Sequence, residues 1–263
     1  MIKAKKSLGQ NFLTDRTVLE KIVNTTEIKN KTILEVGPGT GNLTKKIIEQ
    51  NPKSLILIEK DYSLTGYLSS EINKYKNFSV FNEDVLKFNL ENQIKKDSII
   101  IGNLPYNISS QILIKLIKFK QWLPKYKMLI LMFQKEVADK ILAKYNTPNY
   151  GRLSVITAAR LKITDYFNVS PNSFYPVPKV KSTVLVFEPI INKKFKVKNI
   201  ENLERISHIF FSKKRKMINK AFKEIFKNPS EVAKKINVDL NLRPNKLTEN
   251  DYFKITEFFE NQC

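Results

Sequence analysis

Short apolar runs alternate with amphipathic segments along the first 150 residues of the chain. Five of the runs are rich in β-branched residues and are predicted as strands, at 32–37, 54–59, 78–82, 98–102 and 128–133. Helical spacing is found between them, at 41–49, 62–74, 109–120 and 135–145. Apolar runs of this length are typical of buried parallel strands, and their alternation with helices is typical of βαβ units. The pattern therefore predicts an α/β fold built on a parallel sheet.

The pattern changes after residue 150. Two more apolar runs, 154–161 and 182–187, flank a proline-containing loop and are predicted as strands that close the sheet. From about residue 190 the composition becomes lysine-rich and helical. We therefore expect two domains, a sheet domain over 1–190 and a small helical domain over 191–263.

The first predicted strand runs into a glycine-rich turn with the spacing G-x-G-x-G, formed by Gly37, Gly39 and Gly41. Glycine is favoured there because the backbone must turn sharply and a ligand must approach without a Cβ in the way. Asn42 stands where the dinucleotide fingerprint has its last glycine or alanine, and no Walker lysine arrangement is present. The turn therefore favours a ligand that has no phosphate groups.

Acidic residues end the next two predicted strands. Glu59 follows the glycine turn by about 20 residues, where a carboxylate hydrogen-bonds ribose hydroxyls in related sheets. Asp84 ends the third strand and is suited to accept from the amino group of an adenine ring. Each carboxylate alone is equally typical of a solvated strand cap, but the succession of three such strand ends favours a nucleoside pocket.

The fourth strand leads into the tetrapeptide Asn103-Leu104-Pro105-Tyr106. The Asn103 amide oxygen and the Leu104 carbonyl can accept hydrogen bonds from an exocyclic amino group, and Tyr106 offers a face for stacking a base. Two acceptors in this arrangement favour the pyramidal, nucleophilic form of an amine whose lone pair is otherwise delocalised into the ring. The alternative is an ordinary turn that ends a strand.

Basic residues greatly outnumber acidic ones. There are 46 Lys and Arg against 25 Asp and Glu, for a net charge of +21 and a pI near 9.8. This excess favours a nucleic acid partner, although acidic membranes also attract basic proteins. One candidate surface is a lysine stripe opposite the apolar face of a predicted helix over 217–226, composed of Lys213, Lys216, Lys220, Lys223 and Lys227. The alternative for this stripe is a solvated amphipathic face.

The rarest residues argue against several other classes of protein. The one cysteine, Cys263, excludes a disulfide framework and a cysteine-based metal site within the monomer, and His208 is the one histidine. We expect no metal, and a packed or rim position for His208. No signal peptide or membrane-spanning run is predicted, so we expect a cytoplasmic protein.

Together these motifs resemble the small-subunit ribosomal RNA adenine dimethyltransferases. The resemblance includes Ser7-Leu8-Gly9-Gln10-Asn11-Phe12-Leu13, Tyr150-Gly151-Arg152-Leu153-Ser154 and Phe174-Tyr175-Pro176-Val177-Pro178-Lys179-Val180-Lys181-Ser182, and it extends from about residue 5 to the C-terminus. It implies a Rossmann-like class I methyltransferase sheet whose last strand runs antiparallel, with S-adenosylmethionine as methyl donor. The residues that it assigns to the donor are Asn11, Leu13, Gly37, Gly39, Glu59, Asp84, Val85 and Asn103.

The same resemblance implies a reaction. Two neighbouring adenosines near the 3′ end of 16S ribosomal RNA would receive two methyl groups each at N6, within an assembling small ribosomal subunit. Catalysis would use Asn103, Leu104, Pro105 and Tyr106, with Phe174 as a second stacking face; the alternative for Phe174 is a core or hinge aromatic. Lys213, Lys216, Lys220 and Lys223 would contact RNA, and the protein is expected to be a monomer.

Three other functions share parts of this pattern. The large-subunit erythromycin-resistance methyltransferases use the same scaffold, but their tetrapeptide usually carries Ile where Leu104 stands. A non-catalytic RNA-binding factor would be expected to have lost the tetrapeptide or the glycine turn, which are intact here. A DNA adenine methyltransferase would be expected to carry a separate target-recognition domain.

Overall fold

The protein is described by a computed structural model that covers Lys5, residues 9–191 and residues 197–262. Ser7 and Leu8 of the N-terminal motif, and Cys263, lie outside the described residues. The strands are β1 (Phe12–Leu13), β2 (Thr32–Val36), β3 (Ser54–Glu59), β4 (Phe78–Asn82), β5 (Ser98–Asn103), β6 (Tyr126–Gln134), β7 (Leu161–Val169), β8 (Phe174–Tyr175) and β9 (Ser182–Pro189).

The helices follow the strands closely in the first half of the chain and dominate the second half. They are α1 (Arg16–Val23), α2 (Asn42–Glu49), α3 (Tyr62–Ile72), α4 (Leu90–Gln93), α5 (Ser109–Ile117), α6 (Lys135–Leu142), α7 (Arg152–Arg160), α8 (Ile200–Ser212), α9 (Asn219–Ile225), α10 (Pro229–Ile236) and α11 (Glu249–Glu260). Among these described elements, no helix is both long enough and apolar enough to span a bilayer.

Seven strands form the main sheet, in the order β4-β3-β2-β5-β6-β9-β7. The neighbouring pairs from β4 to β6 are parallel, and β9 pairs antiparallel with β6, with Leu131 opposite Leu185. The predicted parallel α/β sheet and its antiparallel last strand are thus confirmed. The strand order reverses between β2 and β5, and open α/β sheets bind their ligands outside the carboxyl ends of the strands at such a point.

The central strands are buried on both faces because helices cover the sheet. All five residues of β2 are buried, as are Ser98–Gly102 of β5. The core includes Ile33, Ile99 and Ile101, whose branched side chains suit a pleated buried surface. This packing fixes where each strand ends and therefore where the residues that follow it lie.

The predicted strand at 154–161 is wrong, because α7 covers residues Arg152–Arg160. The Ser154 hydroxyl accepts from the Gly151 N–H at 3.3 Å and donates to the Lys140 carbonyl at 2.6 Å, which anchors the first turn of the helix. A short apolar run is compatible with a buried helix as well as with a buried strand. The strand in this part of the chain is β7, at the edge of the sheet, and most of its side chains are partly or fully exposed.

Two compact units are defined by the contacts between Cα atoms. The first contains Met1–Ala138 and Ile163–Pro189, and the second contains Asp139–Lys162 and Ile190–Cys263. The second unit is mainly helical, with an aromatic cluster in which Phe210 packs edge-on against Phe222 and Tyr252. The expected division of the chain into domains over 1–190 and 191–263 stays a prediction.

Candidate active site

A cavity of about 160 Å³ lies at the carboxyl ends of β2, β3, β4 and β5. Its lining comes from the ends of these strands and the residues after them, from the start of α2, and from the N-terminal arm, which we define as residues 9–13. The segments outside the arm are 35–40, 42–43, 58–60, 83–86 and 103–108. Parallel strands end at one edge of a sheet, so residues far apart in sequence converge there. The predicted grouping of the glycine turn, the two acidic strand ends and the tetrapeptide is observed.

The glycine turn approaches the N-terminal arm too closely for a side chain. Gly39 has φ of +59°, and a Cβ at this position would lie 2.9 Å from the Phe12 ring. Its N–H points instead at the Glu59 carboxylate, with a distance of 3.1 Å to Oε2. Gly37, with φ of +67°, starts the turn directly after β2. Both positions favour glycine, because left-handed backbone conformations are strained for other residues.

Glu59 is held by backbone donors at both of its oxygens. Oε2 accepts from Gly39, and Oε1 accepts from the Asp61 N–H at 2.8 Å. Burial raises the pKa of the Glu59 carboxyl above its ordinary value, and the backbone donors oppose this effect. The side chain is 7% exposed, and it lines the cavity. A carboxylate fixed in this way keeps lone pairs for a hydroxyl group in the cavity.

Asp84 lines the cavity and lies two residues after the end of β4. Its Oδ2 accepts from the Lys60 ammonium at 2.9 Å, and its Oδ1 accepts from the Leu86 N–H at 2.9 Å. The hydrogen bond from Lys60 lowers the pKa of Asp84, so its carboxylate stays ionised. Val85 is buried beside it and supplies an apolar wall. A charged acceptor next to an apolar surface suits the edge and face of a heterocycle.

The orientation of the Asn103 amide follows from one contact. Its Nδ2 donates to the Asn11 carbonyl at 2.9 Å, across 92 positions of sequence. Amide orientation is assigned from hydrogen-bond partners, and here the partner is an obligatory acceptor. The amide oxygen of Asn103 therefore keeps its capacity to accept hydrogen bonds in the cavity. The sequence motif predicted an acceptor here but not the group that orients it.

The rest of the tetrapeptide is fixed by packing. Leu104 is buried, and a Cβ on the preceding Gly102 would lie 2.9 Å from the Val36 carbonyl of the neighbouring strand. The Tyr106 hydroxyl is 2.7 Å from the hydroxyl of the buried Ser182 in β9. Partial burial also raises the pKa of the Tyr106 phenol. The Tyr106 ring is thus held at one end by the sheet.

Phe174 is buried in the hydrophobic core. It lies in the two-residue strand β8, opposite Leu13 of β1, and its side chain is 2% exposed within the hydrophobic core. The next residue, Tyr175, is 68% exposed because successive side chains in a strand point to opposite faces. Among the described residues that line the cavity, Phe174 is absent. Its role as a stacking face stays a prediction.

The N-terminal arm is held over the cavity by polar contacts. The Leu13 carbonyl accepts from Asn42 Nδ2 at 2.8 Å, and Gln10 Nε2 donates to Asp61 Oδ2 at 3.1 Å. Lys5, which lies before the arm, also contacts Asp61, with its ammonium 2.7 Å from Oδ1. Burial would raise the pKa of Asp61, but the hydrogen bonds from Lys5 and Gln10 outweigh it and lower the pKa. Asn11 and Leu13 both line the cavity, as expected.

Glu35 is a site residue that the sequence argument missed. It precedes the glycine turn, lines the cavity and is 1% exposed. Its Oε2 accepts from the Thr44 hydroxyl at 2.7 Å, and burial raises its pKa to about 8. A carboxyl inside an apolar strand was itself a signal, because buried acidic groups are rare unless they are functional or paired.

The lysine stripe is not on one helix. Lys213 is the C-terminal cap of α8, Lys216 lies in the following turn, and only Lys220 and Lys223 belong to α9. Lys213 and Lys216 are three positions apart, where like charges on a helix repel, which disfavours a continuous helix through this segment. Lys213 also forms an ion pair with Glu224. Lys216, Lys220 and Lys223 are exposed, so these basic side chains are accessible although they do not all lie on one helix.

No group of His, Cys, Asp and Glu side chains suited to a metal ion occurs in the part of the chain that the structure describes. His208 is exposed on α8, with its Nδ1 3.1 Å from the Arg152 guanidinium. It therefore has a rim position.

Comparison with known proteins identifies the family. A family model described as ribosomal RNA adenine dimethylase matches residues 1–261. The chain is 46% identical over 262 residues to the ribosomal RNA small subunit methyltransferase A of Pelagibacter ubique (strain HTCC1062), with 98% of each chain covered.

Two solved structures agree with this result. A dimethyladenosine transferase from Plasmodium falciparum superposes with a TM-score of 0.80 and 28% identity, over 95% of this chain and 98% of that one. The 23S rRNA methyltransferase ErmE superposes with a TM-score of 0.69 and 22% identity, over 95% and 100%, which supports the fold alone. The fold is that of the class I methyltransferases, and the chain belongs to the ribosomal RNA adenine dimethylase family of S-adenosylmethionine-dependent methyltransferases.

Proposed function

We propose that the protein transfers methyl groups from S-adenosylmethionine to N6 of two adjacent adenosines near the 3′ end of 16S ribosomal RNA, giving N6,N6-dimethyladenosine. The small-subunit substrate is supported by the name of the Pelagibacter relative, which is similar over nearly its full length. The acceptor atom is supported by the tetrapeptide that starts at Asn103.

The cavity fits the donor chemically. S-adenosylmethionine supplies a methyl group on a sulfonium, and its positive charge suits a cavity lined by the acidic residues Glu59, Glu83 and Asp84. We assign Glu59 to the ribose hydroxyls of the donor, and Asp84 with Val85 to its adenine, because all three line the cavity. Gly37 and Gly39 leave the space that a side chain would fill, while Asn11 and Leu13 close the cavity from the N-terminal arm.

The observation that carries the proposal is the oriented amide of Asn103. Because Nδ2 is engaged by the Asn11 carbonyl, Oδ1 is available to accept from the amino group of the target base. The Leu104 carbonyl is the second acceptor. Two fixed acceptors position N6 towards the methyl group and favour its nucleophilic geometry, which is catalysis by positioning and preorganised electrostatics.

Stacking would hold the target base after it leaves the RNA helix, since N6 is out of reach inside a duplex. Tyr106 is the stronger candidate, because its hydroxyl contact with Ser182 fixes the ring while the side chain stays half-buried at the cavity. Phe174 is the weaker candidate, because its side chain is buried in the core. Pro105 limits the backbone conformations available between Leu104 and Tyr106.

Binding of the RNA would rely on basic residues of the second unit. Lys216, Lys220 and Lys223 are exposed, and Lys213 forms an ion pair with Glu224. We assign these four lysines to phosphate contacts, which the net charge of +21 supports. We further propose that the protein acts as a monomer in the cytoplasm, where small subunits assemble.

A direct test incubates the protein with unmethylated small subunits and a donor labelled in the methyl group. The RNA is then digested, and the labelled nucleoside is identified and mapped. The proposal predicts N6,N6-dimethyladenosine at two adjacent positions near the 3′ end of 16S RNA. Large subunits serve as the control and should stay unlabelled. No label in the small subunit would favour a non-catalytic RNA-binding factor, and label in the large subunit would favour the erythromycin-resistance type of enzyme.

A further inference from the structure

One lysine outside the predicted site holds part of the cavity wall. Lys115 lies on α5, and its ammonium donates to two backbone carbonyls, those of Leu86 and Phe88, both at 2.7 Å. The side chain is half-buried. Burial lowers the pKa of Lys115, and the nearby charge of Asp84 opposes this effect.

The two carbonyls belong to a single turn that follows β4. Within it, the Leu86 N–H donates to Asp84 Oδ1 at 2.9 Å, and the N–H groups of Lys87 and Phe88 donate to the Asp84 carbonyl at 2.8 and 2.9 Å. We call residues 84–88 the adenine turn, because Asp84 and Val85 are the residues proposed to hold the donor's adenine. The N–H groups of Leu86, Lys87 and Phe88 thus donate within the turn, while the carbonyls of Leu86 and Phe88 converge on one ammonium.

Only a few side chains can satisfy such a pair of carbonyls. Backbone carbonyls away from water need a donor, and a lysine ammonium offers three N–H groups on a flexible stem. An apolar residue of similar length would leave both carbonyls without this partner. The turn would then rearrange to reach water, and Asp84, Val85 and Leu86, which line the cavity, would move with it.

Helix α5 also contacts the tetrapeptide. The Ile108 N–H donates to the Pro105 carbonyl at 3.1 Å, and the Ser109 hydroxyl donates to the Tyr106 carbonyl at 3.3 Å. The same helix is therefore tied to the tetrapeptide at its start and to the adenine turn through Lys115. The position of the adenine turn is therefore fixed by a helix as well as by hydrogen bonds within the turn.

We propose that Lys115 is a positioning residue that holds the adenine turn in the conformation that binds the methyl donor. The inference rests on the proposed donor site, since it assumes that Asp84 and Val85 contact the adenine. It predicts that loss of the Lys115 ammonium weakens donor binding and leaves the methyl transfer step itself nearly unchanged.

The test compares Lys115→Met with a matched control, Lys120→Met, which removes an exposed charge three residues beyond the end of the same helix. Calorimetric titration should show about tenfold weaker S-adenosylmethionine binding for Lys115→Met, the scale expected for lost hydrogen bonds to a charged group. Lys120→Met should bind as the wild type does. In kinetic assays on small subunits, Lys115→Met should raise KM for the donor about tenfold while kcat stays within about twofold.

A third variant separates this inference from the donor site itself. Asp84→Ala should weaken donor binding if the proposed site is correct, and unchanged binding would overturn that site. Weakened binding for Asp84→Ala with wild-type affinity for Lys115→Met would overturn the role of Lys115 alone. A fall in kcat with unchanged donor affinity in Lys115→Met would overturn it as well.

Two further measurements apply if Lys115→Met fails to fold. Lys115→Arg keeps donors that can reach both carbonyls and should retain donor affinity within a few fold, whereas Lys115→Gln should not. In the wild-type protein, donor binding should slow hydrogen exchange at the amides of the adenine turn. Equal affinities for the Arg and Gln variants, or exchange that the donor leaves unchanged, would contradict the proposal.

Discussion

The cavity at the carboxyl edge of the sheet and the lysine-rich segment 213–227 are two regions that were both predicted from sequence, with different outcomes. In the cavity, Glu59 and Asn103 lie where strands end, and each is held by backbone partners. In the segment, the helix predicted over 217–226 is present as α9 (Asn219–Ile225), but Lys213 and Lys216 precede it and Lys227 follows it, so the predicted lysine stripe is not on one helix. Strand ends are fixed by a buried core, whereas a run of exposed cations has no core to define its path.

The same difference predicts how each region responds to mutation. Oriented, partly buried polar groups act at fixed distances, so their loss should affect chemistry or donor binding whatever the salt concentration. Salt ions screen the attraction between exposed lysines and phosphates. Loss of these lysines should therefore weaken RNA binding and change its dependence on salt. Mutations in the two regions should therefore differ in their effects on rate, donor binding and salt dependence.

The largest effect is expected for Asn103→Ala. The substitution removes an acceptor that positions N6, so single-turnover methyl transfer at saturating donor should fall by about 10²-fold or more. Small-subunit binding should stay at the wild-type level. Donor affinity, measured alongside, shows whether Asn103 also contributes to donor binding. A wild-type rate of methyl transfer would mean that another group activates the amine.

Glu59→Ala should act on the donor instead of the acceptor. Removing the fixed carboxylate should cost about 1.5–3 kcal/mol of donor binding, the range for hydrogen bonds that involve a charge. Calorimetric titration of S-adenosylmethionine measures this directly. Glu83→Ala is a useful comparison, because Glu83 also lines the cavity but is exposed and should contribute less. Equal donor affinities for the wild type and Glu59→Ala would remove Glu59 from the donor site.

Tyr106 offers a test of stacking against hydrogen bonding. Tyr106→Phe loses the contact with Ser182 but keeps the ring, so it should retain much of the single-turnover rate. Tyr106→Ala loses a stack worth about 1–3 kcal/mol and should be clearly slower. Equal losses in the two variants would assign the role of Tyr106 to its hydroxyl.

Charge reversal of Lys216, Lys220 and Lys223 to Glu should weaken small-subunit binding and flatten its dependence on salt, because fewer counterions are released. Donor binding should stay unchanged. The matched control reverses three exposed lysines of the first unit, Lys53, Lys74 and Lys76, and gives the same net charge. If both triple variants bind alike, the segment has no specific role and only total charge matters.

Glu35 makes the stability of the protein depend on pH. Its folded pKa is about 8 against an ordinary value of 4.5, so the folded state favours the protonated form. Stability from this group is fully present below the ordinary value and is lost as pH rises towards about 8. Denaturant unfolding at several pH values should show this decline, and Glu35→Gln should reduce it. A decline of the same size in Glu35→Gln would contradict the assignment.

The sheet and the grouping of the site were predictable because both depend on local patterns. Runs such as Ile99–Ile101 predict a buried strand, and the residues after parallel strands meet at one edge. The orientation of Asn103 was not predictable, because its partner Asn11 lies 92 positions away and approaches only when the N-terminal arm is in place.

Other features could not be derived from the sequence, for identifiable reasons. The run 154–161 satisfies a strand pattern and a buried-helix pattern equally, and tertiary packing selects the helix. The inward direction of Phe174 depends on the pairing of β8 with β1, which joins residues from opposite ends of the first unit. Lys115 belongs to no sequence motif. Its proposed role depends on the carbonyls of Leu86 and Phe88, which lie in a different segment of the chain.

The central claim is that the cavity carries the chemistry and the lysine-rich segment carries only binding. Single-turnover methyl transfer at increasing concentrations of small subunits, with donor saturating, tests this claim for Asn103→Ala and the Lys216, Lys220 and Lys223 reversal side by side. The account predicts that the lysine variant reaches the wild-type rate once subunits are in excess, while Asn103→Ala stays about 10²-fold slower at every concentration. A lysine variant that stays slow at saturation, or an Asn103→Ala variant that recovers, would contradict it.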